Sequence, residues 1–222
     1  MFRHVPNALT TGRLLLAIVF FAMLSWYQYR VRGDPWCLNI AFFIYVIALF
    51  TDFLDGYLAR RWKVEGAFGR LVDPFVDKIL VLGSFTFFAG KNFVIPDDHA
   101  AADPHFMVRT LTGVAPGIVV ILLGRELLVT TFRGLHEGAG QNFGAAFSGK
   151  LKMVFQSVTI LVILAYVNYG VHLNPQYQWW AALLRDICIW LTVIITVASG
   201  WLYLQRALSV ARGGTIQAGP PE

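Results

Sequence analysis

Six apolar stretches divide this chain, and each is long enough, or nearly so, for a helix to cross a lipid bilayer. Such a helix needs about 20 apolar residues. Backbone groups in hydrocarbon must find hydrogen-bond partners within their own segment, so these stretches are expected to be helices rather than strands. The sequence therefore predicts an all-α integral membrane protein with six transmembrane helices. The stretches are residues 12–29, 36–58, 71–95, 112–132, 151–172 and 179–204.

The composition agrees with a membrane domain. Only 14% of the 222 residues are charged, whereas about a quarter are charged in soluble domains. The formal net charge of +5 is attributed to basic cytoplasmic loops, because the sequence has no basic arm that would bind nucleic acid. The two cysteines, Cys37 and Cys188, are too few for a disulfide scaffold or a zinc site. They either pair with each other or remain core thiols.

Basic loops predict the orientation in the membrane. The loops after the second and fourth apolar stretches are rich in lysine and arginine, which places them on the cytoplasmic side together with both termini. Arg30 and Arg32, in the first outer loop, are the exception to this distribution. The basic residues that carry the argument are Arg60, Arg61, Lys63, Arg70, Arg133, Lys150 and Lys152.

The rest of the chain suits one membrane domain. Residues 1–208 are predicted to form a single six-helix domain, and the Gly/Pro-rich residues 209–222 are predicted to be a disordered cytoplasmic tail. Aromatic residues near the outer ends of the helices are expected to form a belt at the membrane interface. These residues are Trp26, Tyr27, Trp36, Trp179 and Trp180.

Four aspartates lie near the end of the second apolar stretch and the start of the third. Asp52 and Asp55 are three residues apart and Asp73 and Asp77 are four apart, so each pair shares one face of a helix. A connection of about ten residues permits a hairpin that brings the two pairs together. The carboxylates would then repel one another unless a hard divalent cation, Mg²⁺ or Mn²⁺, neutralised them. Two such ions about 4 Å apart would form a clamp for phosphoryl-type displacement.

Two other interpretations of the aspartates stay open. They are either interfacial acids paired with Arg60, Arg61 and Arg70, or the cation-binding residues of a membrane transporter. Transporter acids are expected nearer the middle of the bilayer. Gly56 and Gly69, beside the acids, favour a ligand or a second helix that approaches the backbone closely.

The spacing D-x2-D-G-x2-A-R-x8-G-x3-D-x3-D resembles the signature of the CDP-alcohol phosphatidyltransferase family at every fixed position. The resemblance implies the six-helix fold of that family and a homodimer. It also implies transfer of a phosphatidyl group from CDP-diacylglycerol to an acceptor hydroxyl, with CMP as the leaving group. The matching residues are Asp52, Asp55, Gly56, Ala59, Arg60, Gly69, Asp73 and Asp77.

The same resemblance implies a role for each residue of the motif. Asp77 would be the general base as well as a metal ligand, and Arg60 would contact phosphate. The ligands of two Mg²⁺ or Mn²⁺ ions would be Asp52, Asp55, Asp73 and Asp77. The residues that shape the CDP-diacylglycerol pocket would be Gly56, Ala59, Arg60 and Gly69.

Segments outside the motif bear on the acceptor. VPNALTTGR, GRELLVTTFRGL and SGKLKMVFQ resemble the family members that use glycerol 3-phosphate, although Met153 stands where those members commonly have threonine. A phosphorylated acceptor needs cations, which the chain offers near the cytoplasmic ends of the fourth and fifth stretches. Inositol phosphate is the alternative acceptor, and contact with anionic headgroups is the alternative role for the cations. The cations are Arg125, Arg133, Lys150 and Lys152.

Location follows from the same interpretation. We expect the active site to face the cytoplasm from the inner membrane of a bacterial cell.

In the first apolar stretch, Arg13 either borders the nucleotide site or anchors the helix at the interface.

Overall fold

Six long α-helices form the regular structure of the part of the chain that the computed structural model describes, residues 5–29, 34–62, 67–94, 110–138 and 147–211. Within these ranges there is no β-strand, only isolated bridges such as Val94 with Thr110. The all-α fold class is therefore confirmed. The helices are α1 (Val5–Trp26), α2 (Pro35–Trp62), α3 (Ala67–Phe88), α4 (Pro116–Gly138), α5 (Phe147–Asn168) and α6 (Pro175–Ala211).

Three helices contain segments that are long and apolar enough to cross a membrane. These segments are Pro35–Leu54, Leu151–His172 and Pro175–Gln205, and Thr10–Trp26 is a shorter apolar segment. In α3 and α4 the charged pairs Asp77–Lys78 and Arg125–Glu126 interrupt the apolar sequence. Six helices are thus present in the described residues, but six membrane spans stay a prediction.

Successive helices run in opposite directions through the bundle. Arg13, in the first half of α1, contacts Asp52 near the end of α2. At the opposite end, the Asn168 side chain in the last turn of α5 donates to Asn39 near the start of α2, over 2.7 Å. As a result, the end of α2 and the starts of α1, α3 and α5 lie toward the same end of the bundle.

Aromatic side chains hold α1 against α2 and α3. Phe20 and Tyr45 are buried with ring centroids 5.4 Å apart, and Phe21 stacks on Phe87 at the same centroid distance. Gly83 on α3 makes room for the Phe21 ring, because a Cβ atom there would lie 2.5 Å from Phe21 Cζ. This packing fixes the depth at which the three helices meet.

Large apolar side chains also cover the outside of the bundle, chiefly on α2 and α6. A soluble protein rarely exposes so much contiguous apolar surface, whereas lipid chains would cover it without cost. The exposed residues include Trp36, Phe43, Phe50, Phe53, Trp179, Trp180, Trp190 and Trp201.

Helix ends differ from those predicted. The described part of α2 reaches Trp62 and that of α3 starts at Ala67, so both helices extend further into the acidic motif than the predicted ranges 36–58 and 71–95. At its other end, α3 ends at Phe88 instead of residue 95. The last carbonyls of a helix lack partners within that helix. At the end of α1 the Asn92 side chain donates to two of them, those of Leu24 and Ser25, over 3.2 Å each. These hydrogen bonds turn the chain after α3.

The start of α4 is set by the same kind of tertiary contact. The helix begins at Pro116 rather than at residue 112. Thr112 instead donates to the Phe88 carbonyl over 2.6 Å, and Gly113 turns the chain with a φ of 74° that favours glycine. Proline suits the first helical position because the amide there needs no partner within the helix.

Residues near the helix ends that were predicted to be outer bear on two further expectations. Tyr27 is buried and stacks on Phe93 at a centroid distance of 5.4 Å, so its assignment to the interfacial belt is wrong. Both cysteines are free thiols and do not pair. Residues 209–211 of the predicted tail belong to α6, and the rest of it, from 212 onward, lies outside the described residues.

Gly83 provides a test of this packing. Gly83→Ala gains helix propensity but presses a methyl group onto the Phe21 ring, whereas Gly117→Ala makes the same change where no atom lies within 4 Å. We expect Gly83→Ala to be less stable than Gly117→Ala by about 1–3 kcal/mol, measured by thermal or denaturant unfolding in detergent. Equal stabilities would contradict the close packing of α1 on α3.

Candidate functional site

An acid cluster, which comprises Arg13, Asp52 and Asp77, joins the first three helices. Arg13 Nη1 lies 2.6 Å from an Asp52 carboxylate oxygen and 2.9 Å from an Asp77 carboxylate oxygen. The Arg13 side chain is 1% exposed, while those of Asp52 and Asp77 are 38% and 24% exposed. Both carboxylates contact the same nitrogen atom, so they are close neighbours that open partly to the outside.

The apolar pattern of each helix directs these charged side chains inward. On α1, buried Phe20 and Ala17 are followed toward the N-terminus by Arg13, at helical spacings of three and four residues. On α2, Tyr45 and Ala48 lead to Asp52 with the same spacing. The inward stripes of both helices therefore end in a charged residue at the same end of the bundle.

The acid cluster suits a divalent cation. Its two carboxylates supply hard oxygen donors, and they already hold one positive group between them. The described side chains contain no group of three or more potential metal ligands. Asp55 and Asp73 lie on α2 and α3, but their side chains are outside the described part, so the four-aspartate metal site stays a prediction.

A basic cluster, which comprises Lys78, Arg125, Glu126 and Lys152, lies beside the acid cluster. Arg125 Nη1 is 3.0 Å from Glu126 Oε2, Lys152 Nζ contacts the same oxygen, and Lys78 Nζ is 3.8 Å from Oε1. The side chains of Arg125 and Lys152 are each 7% exposed, that of Glu126 is 17% exposed and that of Lys78 is 38% exposed. Three cations around one carboxylate leave an excess of positive charge.

Helix α6 fixes the position of Arg125. Its Nη2 donates to Ser199 Oγ over 2.9 Å, and its guanidinium lies 5.8 Å from the centre of the Tyr203 ring. Gly200 lets the arginine lie close to the helix, because a Cβ atom there would be 2.9 Å from Arg125 Cγ. Lys78 is held differently, by a 2.8 Å hydrogen bond to Thr130 Oγ1 on α4.

The structure brings together part of the predicted acceptor site. Arg125 and Lys152 share Glu126 as their partner, whereas the side chains of Arg133 and Lys150 are outside the described part. Of the eight motif residues, Asp52 and Asp77 have described side-chain contacts. The other six lie on α2 and α3, but the surroundings of their side chains or Cα atoms are outside the described part; they are Asp55, Gly56, Ala59, Arg60, Gly69 and Asp73.

Lys78 is one of the residues that the sequence interpretation missed. Its position directly after Asp77, within an otherwise apolar stretch, was the available signal. Consecutive residues on a helix point about 100° apart. Asp77 can therefore face Arg13 on α1 while Lys78 faces Glu126 on α4, and one turn of α3 serves both clusters.

Known proteins resemble this chain over most of its length. A model of the family described as CDP-alcohol phosphatidyltransferase matches residues 3–198. A protein of Bacillus subtilis (strain 168) named CDP-diacylglycerol–glycerol-3-phosphate 3-phosphatidyltransferase is 25% identical over 210 residues, covering 91% of this chain and 94% of that protein. Proteins with the same name are 29% identical in Haemophilus influenzae (92% and 93% covered) and 26% identical in Cereibacter sphaeroides (92% and 95% covered).

Arg13 offers a test of the acid cluster. Arg13→Gln leaves Asp52 and Asp77 without this positive partner, so the variant should lose about 1–3 kcal/mol of stability in metal-free detergent solution. Because a divalent cation would relieve the repulsion between the carboxylates, Mg²⁺ should raise the melting temperature of the variant more than that of the unaltered protein.

Arg185→Gln is the control for this test, since Arg185 pairs with Asp186 at a distance from the acid cluster. Its response to Mg²⁺ should equal that of the unaltered protein. Identical responses of all three proteins would show that Arg13 does not occupy a cation-binding position.

Proposed function

We propose, from the premise that this chain belongs to the CDP-alcohol phosphatidyltransferase family, that it transfers the phosphatidyl group of CDP-diacylglycerol to glycerol 3-phosphate. The products are phosphatidylglycerophosphate and CMP. The observation that carries the proposal is the pair of clusters on α3, one acidic and one basic. Relatives named for this reaction, which align along most of the chain, support it. Family membership also favours an enzyme over a transporter.

The acid cluster supplies the reaction centre in this proposal. Asp52, Asp55, Asp73 and Asp77 would hold two Mg²⁺ or Mn²⁺ ions, which stabilise negative charge on the diphosphate when bound. Asp77 takes the proton of the acceptor hydroxyl. The hydroxyl oxygen forms a bond to the β-phosphorus of CDP-diacylglycerol, the bond from that phosphorus to the oxygen of CMP breaks, and CMP leaves with the electron pair.

The donor substrate would enter from the lipid. Gly56, Ala59 and Gly69 are small, so they permit the cytidine diphosphate to approach the helix backbones, and Arg60 is assigned to its phosphate. The apolar outer surface of α2, with Phe50 and Phe53 exposed near Asp52 in sequence, suits acyl chains that remain in the bilayer. The polar groups then react at the membrane surface while the chains never leave lipid.

The basic cluster supports a phosphorylated acceptor. Arg125 and Lys152, with Arg133 and Lys150 assigned to the same site from the sequence, provide donors of the kind that bind phosphate. An uncharged alcohol would bring no phosphate for these cations to bind. Inositol phosphate would use the same cations, so the choice between the two phosphorylated acceptors is made by the experiment below.

The protein is an integral membrane protein, and we extend the proposal to its arrangement in the membrane. Lysines and arginines in the loops support six spans with both termini and the active site on the cytoplasmic side. Bacterial relatives support the inner membrane of a bacterial cell. The homodimer follows from the family resemblance and would be tested by chemical cross-linking in vesicles.

The direct test is CMP release by the purified protein in detergent with CDP-diacylglycerol and Mg²⁺. Glycerol 3-phosphate, inositol 1-phosphate, serine and phosphatidylglycerol are offered separately. We expect release with glycerol 3-phosphate alone. Release with a different alcohol would keep the reaction and replace the acceptor, and no release from folded protein with any of them would overturn the proposed activity.

Asp77→Asn tests the role of Asp77. The amide keeps the size of the side chain but cannot take the hydroxyl proton, so turnover should fall by about 10²–10⁴-fold. Binding of CDP-diacylglycerol in the presence of Mg²⁺ should survive in part, because three aspartates remain. Asp186→Asn, at the other end of the bundle, is the matched control and should retain full turnover. Undiminished turnover of Asp77→Asn would remove Asp77 as the base.

A further inference from the structure

Glu126 holds more positive charge than it can neutralise. Three cations lie within 4 Å of its carboxylate, and two of these, Arg125 and Lys152, are almost completely buried. Among the described side chains, no second carboxylate contacts the cluster. Buried charges that lack counter-charges are costly. The three cations therefore suit an anion that carries more negative charge than the Glu126 carboxylate alone supplies.

We propose that Glu126 is a placeholder for the phosphate of the acceptor, and that Lys78 is a phosphate-binding residue. The Glu126 carboxylate holds Lys78, Arg125 and Lys152 together while the site has no substrate. When the acceptor arrives, its phosphate takes over the three cations, with Lys78 the first to move. This inference rests on the proposed function, because it takes the anion to be the phosphate of a small phosphorylated alcohol.

Lys78 is the cation best suited to move first. It is the most exposed of the three, and its 3.8 Å separation from Glu126 is the longest in the cluster. Its hydrogen bond to Thr130 gives the Lys78 ammonium a partner other than Glu126. Arg125, in contrast, is fixed by Ser199 and cannot leave without breaking that hydrogen bond. A phosphate would thus meet two buried cations, Arg125 and Lys152, and a more exposed one, Lys78, that closes over it.

The position of Lys78 also connects phosphate binding with the chemistry. Lys78 follows Asp77 on α3, so a phosphate held by Lys78 lies near the carboxylate assigned as base. An acceptor that carries its hydroxyl a few bonds from its phosphate would be presented to Asp77. Glu126 acts through the cations alone, which makes it a positioning residue.

Glu126→Gln distinguishes a placeholder from a purely structural partner. The amide keeps the size of the side chain but no longer competes with phosphate for the cations. We expect the Kd for inorganic phosphate to fall by about tenfold, measured by calorimetry on the protein in neutral detergent. The phosphate-induced rise in melting temperature should also be larger than in the unaltered protein. A structural role alone would lower the starting melting temperature and leave the Kd and the rise unchanged, which would overturn the inference.

Lys78→Gln keeps the test decisive even if Glu126→Gln does not fold. This variant should raise the Kd for inorganic phosphate and the KM for glycerol 3-phosphate by about tenfold each, while the KM for CDP-diacylglycerol stays unchanged. Lys91→Gln, an exposed lysine in the 3₁₀ turn after α3, is the matched control and should change none of these values. Equal effects of Lys78→Gln on the two KM values would overturn the role of Lys78.

Two further arms separate this inference from the proposed function. Turnover with glycerol 3-phosphate, together with phosphate binding that neither variant alters, would overturn the inference and leave the activity intact. Phosphate binding that shifts as expected, without turnover on glycerol 3-phosphate, would support the site and overturn the activity. A response to phosphatidic acid in mixed micelles, without a response to inorganic phosphate, would make the cluster a headgroup site and overturn the inference.

Discussion

The contact of Arg13 with Asp52 and Asp77 is the interaction on which the arrangement of the first three helices depends. A charged group inside an apolar helix bundle must be paired, because hydrocarbon offers it no solvation. A single guanidinium nitrogen of Arg13 contacts the Asp52 carboxylate on α2 and the Asp77 carboxylate on α3. All three helices must therefore hold these residues at the same height along the bundle. The aromatic contacts of Phe20 and Phe21 lie about two turns along α1 from this point and follow from the same registration.

Helix α3 then carries this registration to the second half of the bundle. Asp77 belongs to the acid cluster and Lys78 to the basic one, and they are separated by a rise of about 1.5 Å along a rigid helix. A transfer between a lipid-linked diphosphate and a phosphorylated alcohol needs a reaction centre and a phosphate site at a fixed separation. Consecutive residues of one helix provide that separation without any loop, so the reaction we propose depends on a rigid element.

The sequence was sufficient for those features that arise within single helices. The length of the apolar stretches identified six helical segments, whereas the pairing of the acids from their three- and four-residue spacings stays a prediction. Helix ends depended on distant partners, as Asn92 with Leu24 and Thr112 with Phe88 illustrate, so local patterns misplaced them. The role of Arg13 was left open between the border of the nucleotide site and an interface anchor, so its contacts with Asp52 and Asp77 were not predicted. Ser199, which lies 74 residues from Arg125, gave no local signal at all.

The two clusters have opposite arrangements of charge. The acid cluster contains one cation among carboxylates, and the basic cluster contains one carboxylate among cations. Each cluster thus already contains a protein group with the same sign of charge as the ligand proposed for it. In the proposed reaction, a cation or a phosphate would replace the protein group of like charge in its cluster, so binding would exchange ion pairs and would not leave an isolated charge near hydrocarbon. Under this proposal, most of the cost of desolvating the charged groups is met during folding, so that charged substrates would react at the surface of a membrane domain.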